Sequence, residues 1–75
     1  MLPSITRTSF VQATVDEVLP QFGLAYLVGH QDGQWTITRQ TPGLGLDELI
    51  LGQHVYLTLA HDEKFTWVRH YRAVP

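Results

Sequence analysis

The sequence predicts an all-β fold, a small closed barrel of five strands. Three observations carry that prediction: runs of alternating apolar and polar residues, β-branched and aromatic residues gathered in those runs, and Gly, Pro and Asp-Gly punctuation between them. With 75 residues the chain has room for one domain spanning 1–75, with residues 1–7 expected as a loose N-terminal arm. A chain this short buries only about 60% of its unfolded surface, so a single thin core is expected. There is no cysteine, so neither disulfides nor thiolate-bound metal can supplement that core.

The plan centres on Ala13 to Val28, two strands turning on Leu19-Pro20-Gln21-Phe22-Gly23. Thr8 to Val15 alternates, with Val11, Ala13 and Val15 on one face and Phe10, Gln12, Thr14 and Asp16 on the other, which is the period of a half-buried strand. Pro20 cannot donate to a ladder and Gly23 tolerates a bulge, so the chain turns there and a second strand runs Gly23 to Val28. His30-Gln31-Asp32-Gly33 signals a tight hairpin, because Asp-Gly supplies positive φ. A third strand follows from Gln34 to Gln40, with Trp35 and Ile37 on one face and Thr36 and Thr38 on the other, and Thr41-Pro42-Gly43 ends it.

Leu46, Leu49 and Ile50 fall at i, i+3 and i+4, with Asp47 and Glu48 near the start and Gly52 after the end, which predicts one or two helical turns plugging an open barrel end. Gln53 to Ala60 is the clearest strand, with Val55, Leu57 and Leu59 opposite His54, Tyr56, Thr58 and Ala60. His61-Asp62-Glu63-Lys64 is a charged turn and Phe65 to Ala73 a fifth strand. Its faces stay open: either Phe65, Trp67, Arg69 and Tyr71 point outward with Thr66 and Val68 inward, or the reverse.

Five strands with a short helical piece between the third and fourth is the order of the OB-like barrel, with an SH3-like barrel as the alternative. Closure removes the exposed edges that a small open sheet must protect. Ala13-Thr14-Val15-Asp16-Glu17-Val18-Leu19-Pro20 resembles the opening strand of bacterial translation initiation factor one, a stand-alone OB domain of nearly this length. Leu51-Gly52-Gln53-His54-Val55-Tyr56-Leu57-Thr58-Leu59 resembles its fourth strand, and Phe22-Gly23 is similar to a step in the RNA-binding repeat of ribosomal protein S-one. The resemblance spans residue 11 to about 72 and implies an OB fold and RNA as ligand. Two departures bear on the ligand: the repeat's second aromatic would fall near Ala25, with Tyr26 adjacent, and the initiation factor is basic whereas this chain carries a net charge of −2.

OB domains bind single strands through aromatics that stack on bases and cations that hold phosphates. The candidates are Phe22, Tyr26 and Arg39 around strands two and three, with Tyr56, Trp67, Arg69, Tyr71 and Arg72 on strands four and five. Trp35 shares the face of Ile37 and is expected in the core, Tyr56 is expected outside, and the Arg69-to-Arg72 cluster also reads as a solvated terminal strand. The expected ligand is single-stranded RNA or DNA. The alternative is a protein-interaction module or small regulatory subunit whose partner is another protein or a second copy, with the same rings and arginines as the hot spot.

Other classes are disfavoured. The start of the chain does not resemble a secretory signal, and the apolar stretch Phe22 to Val28 is far short of the roughly 20 residues that span a bilayer, so no membrane partner and a cytoplasmic location are expected. Adjacent carboxylates at Asp16-Glu17, Asp47-Glu48 and Asp62-Glu63 point apart on strands or turns. Ser4 and Ser9 lack a nucleophile-elbow pattern, and Gly43-Leu44-Gly45 lacks the Lys-Ser/Thr of a phosphate loop, so no enzyme is expected. His30, His54, His61 and His70 sit on separate elements without zinc-type spacing, so neither a metal nor another cofactor is expected. Protonating all four would add four charges to −2 and give +2, so anion binding is expected to strengthen toward pH ~6.

Overall fold

Thirteen consecutive residues, Arg7–Leu19, form the first strand, β1, and the rest of the sheet is laid on both sides of it. The structure is a computed structural model and describes residues 7–31 and 33–74. After β1 come a 3-10 turn at Pro20–Phe22, β2 (Leu24–Gly29), β3 (Gln34–Thr38), a second 3-10 turn at Leu46–Glu48, β4 (His54–His61) and β5 (Thr66–Ala73). Residues 1–6 of the expected arm lie outside the described residues, whereas Arg7 already pairs with His61 in the ladder. Asp32 of the expected Asp-Gly hairpin is likewise outside them; Gly29 N donates to Gly33 O at 2.9 Å across that turn.

All strand pairs are antiparallel, in the order β3-β2-β1-β4-β5. The fourth strand returns to lie beside the first, which is the Greek-key step of an OB-like barrel and not the meander through strands two to four of an SH3-like one. The sheet curls until β3 and β5 approach each other. No ladder joins these two edges among the described residues; instead Tyr71 N donates to Pro42 O at 3.1 Å, tying β5 to the segment after β3.

Alternation places the core as the sequence predicts over β1 and β4: Ala13, Val15, Val55, Leu57 and Leu59 are buried, joined by Ala25 and Leu27 of β2 and Ile37 of β3. Trp35 is half-buried against that core. The helical expectation contracts to one 3-10 turn, in which Leu46 and Leu49 are buried but Ile50 is 69% exposed. A 3-10 turn eclipses i and i+3, so it carries two of the three apolar residues inward and leaves the i+4 position outside. Ala60 keeps its expected outward parity and stays out of the core cluster, yet is only 1% exposed, in a row between Thr8 and Trp67.

Two bulges set which side chains meet solvent. In β1 the register steps from Val15–Leu27 to Glu17–Tyr26, so Asp16 is the extra residue and Val18 returns to the inner face. In β5 it steps from His70–Thr58 to Val68–Leu59, so Arg69 is extra and both Val68 and Tyr71 point inward. Neither parity proposed for the fifth strand therefore holds along its whole length: a single residue switches it midway.

Candidate nucleic-acid interface

The register builds an outer face on β1, β4 and β5 row by row. Thr8, Ala60 and Trp67 form one row, Phe10, Thr58 and His70 the next, and Gln12, Tyr56 and Arg72 the third. The Arg72 guanidinium lies over the half-buried Tyr56 ring at 5.1 Å from its centroid, a cation–π contact. Phe10 is 73% and Trp67 43% exposed, large values for rings on a strand. Arg69 is exposed at the bulge beside them.

The β4–β5 turn caps this face with Lys64 and Phe65, both exposed. Asp62 organises it: Lys64 N and Phe65 N donate to Asp62 Oδ1 at 2.7 and 2.6 Å, and Asp62 N donates to Phe65 O at 2.9 Å. The Phe65 and Lys64 amides hold the Asp62 carboxyl below its usual range, because both bonds favour the charged form. His61 closes the turn on the other side, its Nε2 hydrogen-bonded to Ser9 Oγ and its Nδ1 to Thr66 Oγ1 at 3.0 Å.

The remaining candidates separate from this cluster. Tyr71 is a correction: it is 0% exposed, its ring lies in the core, and its hydroxyl accepts from Gly45 N at 2.9 Å, so it is not available to stack on a base. The cause is the Arg69 bulge, which turns the residue two positions later inward. Phe22 is exposed in the first 3-10 turn and Tyr26 on the outer face of β2, on the opposite side of β1 from Trp67. Arg39 is engaged locally, donating from Nη2 to Pro20 O at 2.9 Å and lying 3.7 Å from Asp47 through Nη1. It braces the β1–β2 turn against the second 3-10 turn.

Charge follows the same division. Arg7 and Lys64 lie at the end nearest the β4–β5 turn, against Asp62 and Glu63, with Arg69 at mid-strand and Arg72 farther along β5 opposite Tyr56. Asp16, Glu17, Asp47 and Glu48 lie toward the two 3-10 turns, with Arg39. A chain of net charge −2 thus carries a locally positive face beside its exposed rings. Phe10 joins this face through its register with β4, which no local pattern signals, whereas Arg7 pairs with His61 on the opposite parity at the strand's end.

Far apart along the chain, two of the histidines are brought together by the fold. His30 Nε2 lies 3.1 Å from His54 Nδ1 and 2.9 Å from Thr14 Oγ1. No helix in the described residues is long and apolar enough to cross a membrane. No family model matches the chain, and no curated protein or solved structure matches it either.

Proposed function

We propose that this chain is a cytoplasmic single-stranded nucleic-acid-binding protein, for RNA before DNA, that uses the outer face of β1, β4 and β5. The observation that carries the reading is the Arg72–Tyr56 stack with the exposed Phe10 and Trp67 rings in the next two rows, Arg69 at the bulge beside them and Lys64 in the turn. Bases stack on the rings and phosphates meet the guanidinium and ammonium groups, with no covalent chemistry. The acidic 3-10 end opposes this only over a screening length of about 10 Å at 0.1 M salt. The preference for RNA rests on the resemblance of Ala13 to Pro20 and Leu51 to Leu59 to the initiation-factor family.

The test is quenching of tryptophan fluorescence by short poly-U and poly-dT strands at about 50 and 200 mM salt. Saturable quenching that weakens with salt is expected, and the three cations Lys64, Arg69 and Arg72 limit the log–log slope to roughly −2.1 for a single strand. Trp67→Ala should weaken binding by about 5- to 150-fold, the value of one stacked base, and Arg72→Ala should flatten the salt slope. Absence of saturable quenching at low salt refutes the reading. A second reading, a protein-interaction module, is favoured by Ile50 and Leu51, 69% and 65% exposed side by side in the loop before β4. A dimer in light scattering that Ile50→Ser dissociates would support it.

A further inference from the structure

His30 and His54 are 24 positions apart, yet two backbone constraints bring them to one point. The β1–β4 register sets His54 opposite Thr14, and His30 N donates to Gln12 O at 3.0 Å, which pins the first residue after β2 against the same strand. On the other side, Val74 N donates to His54 O at 3.1 Å. The two rings stand edge to face with centroids 5.0 Å apart, both solvent-exposed, with Thr14 Oγ1 at hydrogen-bond distance from His30 Nε2.

Two imidazole nitrogens 3.1 Å apart can share one proton. They also nearly match the span between two ligands of one tetrahedral ion, since bonds of about 2.0–2.1 Å put neighbouring nitrogens roughly 3.3 Å apart. We propose that His30 Nε2 and His54 Nδ1 form a two-imidazole site for a borderline divalent transition-metal ion such as Cu2+, Ni2+ or Zn2+. The rings turn so that both lone pairs converge on the ion, and the proton between them leaves. The Thr14 hydroxyl is then placed to hydrogen-bond a water on the ion. Among the described residues no group of three His, Cys, Asp or Glu surrounds a common point, so the two imidazoles and solvent are the ligands proposed and the ion is exchangeable. Neutral nitrogen donors without a carboxylate select against Mg2+ and Ca2+.

The site is independent of the nucleic-acid reading and is tested on the full chain with metal chlorides alone. Calorimetric titration should give one equivalent of Cu2+, bound more tightly than Ni2+ or Zn2+, and no saturable heat with Mg2+. In NMR, substoichiometric Ni2+ should broaden the ring signals of His30 and His54 before those of His61 and His70. Replacing either ligand, His30→Ala or His54→Ala, removes the chelate and should weaken binding about 100-fold, whereas His70→Ala should leave it unchanged. Binding that survives both ligand substitutions, broadening centred on another histidine, or no saturable Cu2+ binding overturns the proposal. Should one variant fail to fold, the broadening pattern of the unsubstituted protein decides.

Discussion

Replacing Tyr71 by Phe isolates one atom of the barrel closure. The ring is buried and stays in place, so no cavity forms; what is lost is the oxygen that accepts from Gly45 N at 2.9 Å. An N–H deprived of its partner away from water costs about 1–3 kcal/mol. Gly45 is only half-buried, so water recovers part of that and about 1–2 kcal/mol is expected. A chain of 75 residues has a total stability of roughly 4–11 kcal/mol, so the loss is a substantial fraction of it. In a domain of this size each kcal/mol moves the melting midpoint by about 4–8 °C, which predicts a drop of about 5–15 °C. Thermal and urea unfolding followed by circular dichroism would measure it, with an unchanged urea slope showing that the unfolded state is the same. Amide exchange at Gly45 should accelerate locally. Tyr26→Phe, at an exposed position on β2, should stay within about 0.5 kcal/mol. If Tyr71→Phe matches the parent in both midpoint and Gly45 exchange, the hydroxyl does not hold the 42–45 segment.

Two further perturbations probe the same closure and the turn beside the interface. Gly43→Ala would place a Cβ 2.5 Å from Tyr71 O and 2.7 Å from two carbons of its ring. Backbone and a buried ring cannot both yield, so about 1–3 kcal/mol of destabilisation is expected, read as a lower midpoint. For Asp62 the folded-state pKa is depressed, so its contribution is present above the unfolded value and is lost as pH falls through the folded one, below the usual carboxylate range. The Lys64 and Phe65 amide signals should therefore titrate with a midpoint under that range, and Asp62→Asn should abolish the transition; an ordinary midpoint would contradict the bonding described.

The strands were legible because their pattern is local. Val11, Ala13 and Val15, and again Val55, Leu57 and Leu59, repeat at the period of two, and burial follows that period. The turn at Pro20–Phe22 was equally legible, since proline lacks the donor and Gly23, at φ 69°, takes the left-handed conformation that ends it. The bulges were not. A bulge is a property of two strands, and neither Asp16 nor Arg69 differs in kind from a regular strand residue. That is why the sequence presents Tyr71 as a stacking ring although it is a fully buried member of the core. The pairing of His30 with His54, and the arrival of Phe10 beside Thr58 in the row of His70, require the long-range register for the same reason. Ile50 failed for a local cause: the expected helix is a single 3-10 turn whose geometry leaves that position outside.

Asp16, Glu17, Asp47 and Glu48 gather toward the 3-10 turns with Arg39, while Arg7, Lys64 and Arg69 outnumber Asp62 and Glu63 toward the other end, so the described charges are lopsided along β1. In the field of a polyanion such a molecule rotates before it touches, so the positive end leads and the acidic end trails. Its net charge of −2 then misjudges its behaviour on a charged column or near a nucleic-acid strand. At low ionic strength two copies attract end to end for the same reason, and the attraction fades once the screening length falls to about 10 Å. Orientation, which the isoelectric point does not register, governs how this protein first meets a charged partner.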